Sequence, residues 1–251
     1  MSQSTMKNRK VVARDEWIAA RKQLLAKEKA LTRQRDALAE ERLEFPWLKV
    51  EKNYLFDTPA GKKPLADLFG GKNQLAIYHF MLGVDWEAGC PSCSLITDQM
   101  DPMAIHLAQR DVRLVLVSHA PLRKIEEFKK RMGWKLPWAS SFGSDFNFDY
   151  EVSVKKEDAG KESTYNYAVT KFPSEERPGM SIFYKDANGE IFHTFSVYGR
   201  GLEEFMGIYA ILDHVPKGRD EGTHGMSWVR HHDRYPESSI VEVKAAMRDG
   251  R

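Results

Sequence analysis

Residues 72–95 read KNQLAIYHFMLGVDWEAGCPSCSL, and the order of events along this stretch decides the fold. The run KNQLAIYHFML is continuously apolar, with the length and residue types of a buried strand. A short loop follows, and then Cys90-Pro91-Ser92-Cys93 opens a segment of helical character. Proline suits the first turn of a helix, where its missing N–H would have been unpaired anyway. Cys93 then falls one turn from Cys90 on the same face. Unpaired N–H groups and the positive end of the helix dipole stabilise a thiolate there, and can bring a cysteine pKa from about 8.5 into the ~3.5–7.5 range. Cys90 is therefore the candidate nucleophile, and Cys93 the candidate resolving thiol that attacks a mixed disulfide and closes the Cys90–Cys93 bond. The chain has no other cysteine.

The reading extends outward in both directions. Upstream, residues 48–71 predict a strand pair turning at Pro59 to Gly61, then one turn of helix. Downstream, residues 90–110 look helical but carry Pro102, which predicts a kink or break near Asp101. RLVLVSHA (113–120) is a second buried strand, and PLRKIEEFKKRMGW (121–134) an amphipathic helix opened by Pro121 and closed at Gly133. Strand, helix, strand, helix in that order implies parallel strands joined by right-handed crossovers, an α/β core. The polar region 153–179 reads as an inserted loop. Residues 180–198 form two β-rich runs around Asn188-Gly189, a hairpin signal. Residues 201–215 predict a final helix.

Residues 15–45 read as one long helix, capped by Asp15 and stopped by Pro46. Trp17, Leu24, Leu31 and Leu38 recur every seven residues, with Ile18 and Leu25 beside them. This narrow apolar stripe is expected to lie along its own domain, with a homodimer seam as the alternative. The expected organisation is a helical extension at 1–45, a main domain at 46–215 with the insert at 153–179, and a tail at 216–251 packing on that domain.

Thirty-eight Lys and Arg face 36 Asp and Glu, a formal net charge of +2. That balance supplies no field to draw in nucleic acid or an anionic membrane. The apolar runs are too short to span a bilayer, so a cytoplasmic location is expected. In that reducing compartment a close thiol pair is catalytic, redox-sensing or metal-binding rather than a staple. C-x-x-C is also half of a zinc site, but no second C-x-x-C or closely spaced histidine pair completes one, and His231 and His232 are adjacent. His119 ends a core strand and His193 lies in the hairpin, so either is a candidate base or copper ligand, whereas His79 reads as a core histidine. Trp86, Trp134 and Trp138 are candidates for a wall beside the thiols. Arg230, His231, His232, Asp233 and Arg234 read as a solvated ion-pair cluster, or as the lining of a polar pocket if the tail folds back.

A buried strand, a C-x-x-C at the next helix start, a crossover strand and helix, then a hairpin and last helix together resemble the thioredoxin-like fold. The segments FDTPAGKKPLADLFGGKNQLAIYHF (56–80), SSFGSDFNFDYEV (140–152) and FYKDANGEIFHTF (183–195) are similar to the peroxiredoxin branch. Nearly the whole chain resembles a bacterial family known as domain of unknown function 899, thioredoxin-like. The match runs through LTRQRDALAEER (31–42), YHFMLGVDWEAGCPSCS (78–94), KKRMGWKLPWASSFGSDFNFDY (129–150) and WVRHHDRY (228–235). The resemblance implies a thioredoxin-like sheet of the peroxiredoxin-like variant, flanked by helices. The Cys90–Cys93 pair at its helix start gives the expectation of a cytoplasmic thiol-disulfide oxidoreductase needing no cofactor, acting on a redox partner protein or a small thiol or disulfide. Peroxiredoxins carry P-x-x-x-T-x-x-C before their peroxide-attacking cysteine, and LGVDWEAG precedes Cys90 here. Thioredoxins place a proline before the strand that faces the dithiol. EERPGMSIF (175–183) offers Pro178, with Met180 at the docking position, and these join Trp86, Pro91 and Ser92 as candidate substrate contacts. Thiol peroxidase activity, and a Cu(I) or Zn(II) module built on Cys90, Cys93 and His193, are the alternatives.

Overall fold

The computed structural model describes residues 9–236. A long helix, α1 (Arg14–Leu43), precedes short strands β1 (Leu48–Lys49), β2 (Leu55–Thr58) and β3 (Gly61–Pro64) and the single turn α2 (Leu65–Leu68). The central motif follows as β4 (Gln74–His79), α3 (Pro91–Ala108), β5 (Val112–Ser118), α4 (Leu122–Met132) and β6 (Trp138–Ser140). After α5 (Phe146–Asp149) come β7 (Glu162–Tyr165), β8 (Ala168–Lys171), β9 (Gly179–Lys185), β10 (Ile191–Tyr198) and α6 (Gly207–Leu212).

Eight strands form one sheet in the order β1-β10-β9-β4-β5-β6-β2-β3. β4–β5 and β5–β6 are parallel pairs, and β9 runs antiparallel along β4 with β10 beyond it. The order β10-β9-β4-β5, with α3 crossing from β4 to β5, is the thioredoxin-like arrangement. Both crossovers step the same way across the sheet, so the right-handed rule puts α3 and α4 on one face. Their Ile96, Met100, Ile125 and Phe128 indeed share a cluster with Ala76, Tyr78 and Phe80 of the β4 segment. The alternate β4 residues, Leu75 and Ile77, face the other way and pack with Leu65, Leu68 and Phe146 from α2 and α5. Period-two alternation thus assigns each β4 side chain to one of two cores.

The structure departs from the sequence reading in five places. α1 starts after Ala13 with no side-chain cap; Asp15 sits in the first turn, where its charge favours the dipole instead. No residue of α1 is buried, and Trp17, Leu24, Leu31 and Leu38 are 58, 53, 49 and 43% exposed. Among the described residues the stripe therefore stays largely open instead of lying along the domain; near the end of α1, Arg42 is set over the Phe195 ring at 5.3 Å. α3 runs through Pro102 without a break. Pro102 is exposed, so the carbonyl left without its N–H partner lies on the side where water can replace it. Asp101 holds that end of the helix by accepting the Lys135 and Leu136 N–H groups, each at 2.8 Å. The insert is not a loop: β7 and β8 form a two-stranded sheet, anchored by Tyr165, which is 6% exposed. The expected last helix is a 3₁₀ segment from Gly199 to Phe205 and then α6, divided at Met206 with φ −110° and ψ 88°.

Because α1 has no residue buried against the described residues, Leu31→Ala is expected to change unfolding free energy by less than about 0.5 kcal/mol. A urea titration checks this, and a loss above about 1 kcal/mol means that something covers the stripe in solution.

Candidate active site

Cys90 occupies the N-cap position of α3, with φ −58° and ψ 130°, and Pro91 takes the first helical position. The Cys90 N–H donates to the Met81 carbonyl at 3.0 Å, and its own carbonyl accepts from the Ser94 N–H and hydroxyl, both at 2.9 Å. The residue is thus fixed on both sides by backbone bonds, while its side chain stays partly exposed. Pro91 is exposed and Ser92 partly so, both next to Cys90 at the helix start, whereas the partly exposed Trp86 donates its Nε1–H to Glu175. Cys93 lies one turn deeper and is 2% exposed.

Depth gives the two thiols opposite acidities. Cys90 is acidified to about 6, chiefly by the hydrogen bond from the Cys93 thiol, against the effect of burial and with help from the Cys93 and Ser92 N–H groups. Free N–H groups at a helix start favour the anion, and here they belong to the motif itself. Cys93 is pushed well up by burial and by the neighbouring Cys90 charge. At neutral pH Cys90 is therefore mainly thiolate while Cys93 keeps its proton. Both cysteines are free thiols in the structure.

Below the thiols lies an aromatic floor. Phe80 contacts Trp134, Trp138 and Phe128 with centroids 5.8, 4.6 and 6.1 Å apart. Trp134 and Trp138 are 7 and 2% exposed and share the core cluster of Cys93. They support the site from inside rather than forming an open wall. Tyr78 from β4 is fully buried beside Cys93, and its hydroxyl makes no hydrogen bond of good geometry. Deleting a buried hydroxyl without a partner removes a desolvation cost rather than a bond. Tyr78→Phe is accordingly expected to leave stability unchanged or raise it by up to about 1 kcal/mol in a urea titration.

The tail does fold back, and it reaches the loop that carries Cys90. His231 Nε2 donates to the Gly89 carbonyl at 2.7 Å, and Arg131 Nη2 donates to His231 Nδ1 at 3.0 Å. An arginine can only donate, so Nδ1 is the acceptor and the imidazole proton sits on Nε2. Arg131 also grips Asp233 with two bonds of 2.8 Å, the fork geometry that fixes orientation. His232 Nδ1 and Trp134 Nε1 converge on Asp98 Oδ1, each at 2.7 Å. The Gly89–Cys90 peptide is thereby held at its carbonyl by the tail and at its N–H by Met81. Through His231, His232 and Asp233 the tail clasps the site, while Arg230, His232, Asp233 and Arg234 stay exposed and two of the clasp contacts are ion pairs, as expected of a solvated cluster.

Other candidates lie elsewhere. His193 is on the far face of the sheet, bonded to Ser196 Oγ at 2.6 Å, and cannot join the cysteines as base or metal ligand. His79 is a core histidine, 1% exposed, bonded to Ser181 Oγ at 2.8 Å and lowered to about 3 by burial. His119 pairs with the buried Glu176 at 3.3 Å. Met180 is 3% exposed within the Cys93 cluster, so it packs the core and offers no docking surface. Pro178 follows a trans bond, and its carbonyl is taken by the Tyr165 hydroxyl at 2.7 Å. Among the described residues no group of three or more His, Cys, Asp and Glu is arranged to hold a metal ion. Nor does any helix among them have the length and apolarity to cross a membrane.

Comparison with known proteins closes the description. A peroxidoxin BcpB from Mycobacterium tuberculosis shares 12% identity over 65% of this chain and 94% of its own, at a TM-score of 0.43. A protein described as a thiol:disulfide interchange protein DsbE from Chlorobium tepidum shares 13% over 65% and 97%, at 0.40. A 2-Cys peroxiredoxin from Plasmodium vivax shares 18% over 68% and 94%, at 0.38. These distant likenesses assign no role, and the strand order above is what makes the fold thioredoxin-like. No curated protein matches the sequence. The profile of one family, described as bacterial protein of unknown function (DUF899), matches residues 6–235, and to that family the chain belongs.

Proposed function

We propose that the protein is a thiol-disulfide oxidoreductase in which Cys90 attacks and Cys93 resolves. The observation that carries this reading is geometric: Cys90 stands partly exposed at the start of α3 while Cys93 is sealed one turn deeper, and the two acidities diverge accordingly. The Cys90 thiolate attacks one sulfur of a disulfide, breaking that bond, forming a mixed disulfide and expelling the other sulfur as a thiolate. The Cys90 charge and its hydrogen bond with Cys93 are then gone, and of the influences that keep Cys93 protonated only burial remains. Cys93 loses its proton and attacks the Cys90 sulfur; the Cys90–Cys93 bond forms and the second substrate thiolate leaves. Two electrons have passed to the substrate, and the protein's dithiol has become a disulfide. Stabilising the thiolate stabilises the reduced protein, which makes the pair more oxidising than an unperturbed dithiol.

The same shift makes reduced-state stability depend on pH. The Cys90 pKa is depressed from 9.0 to about 6 in the folded protein, so its contribution is full above 9 and is lost as pH falls through 6. The stability advantage of the reduced protein over Cys90→Ser is expected to grow between pH 6 and 9, which guanidinium titrations across that window check.

The deciding experiment uses glutathione disulfide and, separately, hydrogen peroxide. Wild type is expected to cycle between dithiol and disulfide with glutathione disulfide, Cys90→Ser to be inert, and Cys93→Ser to accumulate one glutathione per chain. An unreactive Cys90 near neutral pH overturns the proposal. Reaction with peroxide much faster than with glutathione disulfide replaces it with the thiol peroxidase reading.

A further inference from the structure

A second site lies at the opposite end of the sheet from the thiols. Cys90 follows the carboxyl end of β4, whereas Arg113 stands near the amino end of β5, paired in register with Leu75 at the start of β4. There a cavity of about 570 Å³ is lined by Lys63 of β3, Asp67 of α2, Arg113, Lys129 of α4 and Lys185 at the end of β9. Five separate elements bring four cations and one carboxylate to one space. Asp67 is within 3.4 Å of Lys63, which leaves Arg113, Lys129 and Lys185 without a carboxylate partner among the described residues. The chain as a whole is almost charge-balanced, at +2, so this excess is local.

Arg113 is the most informative of the group. It is partly buried, its Nε is sealed from water with no hydrogen-bond partner, and its guanidinium bonds to no protein acceptor among the described residues. Buried donors are almost always satisfied, and an arginine left so is costly. The guanidinium occupies the space that glycine leaves open at residue 70, where a Cβ would lie 2.4 Å from Nη1 and 2.6 Å from Cζ. Gly70 also takes φ +54°, a conformation that side chains disfavour. Lys185 is placed over the Phe69 ring, 5.0 Å from its centroid, which holds the ammonium near the cavity without neutralising it.

We propose that this cavity binds a phosphomonoester. A phosphate dianion would supply the missing acceptors for the Arg113 fork and the counter-charge for Lys129 and Lys185. The volume falls in the range that takes a small organic ligand rather than a bare ion, and Pro59, Pro137 and Leu68 of the lining give its organic part an apolar surface.

Phenyl phosphate is the probe, with phenol and inorganic phosphate as comparisons, measured by calorimetry on the full chain. Phenyl phosphate is expected to bind saturably with a Kd below about 1 mM, more tightly than inorganic phosphate, with no binding of phenol. Raising salt weakens the interaction. Arg113→Met is expected to weaken it at least tenfold. Because Arg113 is packed against Gly70, the double variant Lys129→Ala with Lys185→Ala gives a second reading at positions that Gly70 does not confine, with a loss of tenfold or more. Cys90→Ser leaves phenyl phosphate affinity unchanged, which keeps this test separate from the thiol chemistry. Absence of saturation, equal affinity for phenol, or undiminished affinity in the folded double variant overturns the proposal.

Discussion

Reduced protein treated with iodoacetamide is expected to be alkylated at Cys90 alone, with a rate profile half-maximal near pH 6. At that pH an unperturbed cysteine is about 0.3% thiolate against one half for Cys90, a gain of roughly 150-fold in reactive species. A less basic thiolate is a poorer nucleophile, and with a Brønsted slope of about 0.4–0.5 this removes roughly tenfold of the gain. The net expectation is alkylation about tenfold faster than free cysteine at pH 6, measured by mass spectrometry of quenched samples. Cys90→Ser should abolish this phase. Cys93→Ala should keep it but move its midpoint upward, because the Cys93 thiol is the main source of the acidity. Cys93→Ser retains a hydroxyl donor and should fall between the two. A midpoint near 8.5 in wild type would show that the helix start and the Cys93 thiol leave Cys90 unperturbed.

Gly89→Ala is expected to give the largest loss of stability among single substitutions around the site. A Cβ at residue 89 would stand 2.4 Å from one ring atom of Phe80 and 2.7 Å from one of Phe128. Those rings are 1 and 5% exposed and interlock with Trp134 and Trp138, so they have little room to move. Overpacking of this kind costs about 1–3 kcal/mol, and the upper end is expected because the obstacles are rigid rings. The backbone would also shift, and with it the bonds from His231 to the Gly89 carbonyl and from Cys90 to Met81. Urea denaturation should therefore record a loss of about 3 kcal/mol. The alkylation midpoint of the remaining folded protein should rise toward that of a free thiol. A variant as stable as wild type would mean that the aromatic floor yields easily and that the loop is not held against it.

The sheet centre, the thiol positions and the helix that follows them are legible in the amino-acid order alone. These were legible because each rests on local chemistry: an unbroken apolar run for β4 and β5, a proline at the first position of α3, and Asn188-Gly189 at the turn between β9 and β10. Two cysteines in one motif also made the candidate site readable without any long-range information. Only tertiary structure decided which thiol is buried, because the depth of Cys93 comes from packing with Tyr78, Met180 and the α3–α4 face. It also decided that His193 faces away: its side is set by the register of β10 on β9, including a bulge between His193 and Phe195 that no local pattern announces. The tail clasp joins Arg131 to residues about a hundred positions later, and the cationic cavity gathers residues 63 to 185. Local preference acts over a few residues, whereas these groupings depend on how the strands are ordered and which loops that order brings together. The stripe on α1 makes the same point from the other side, since its period was plain in the sequence and its lack of a partner among the described residues was not.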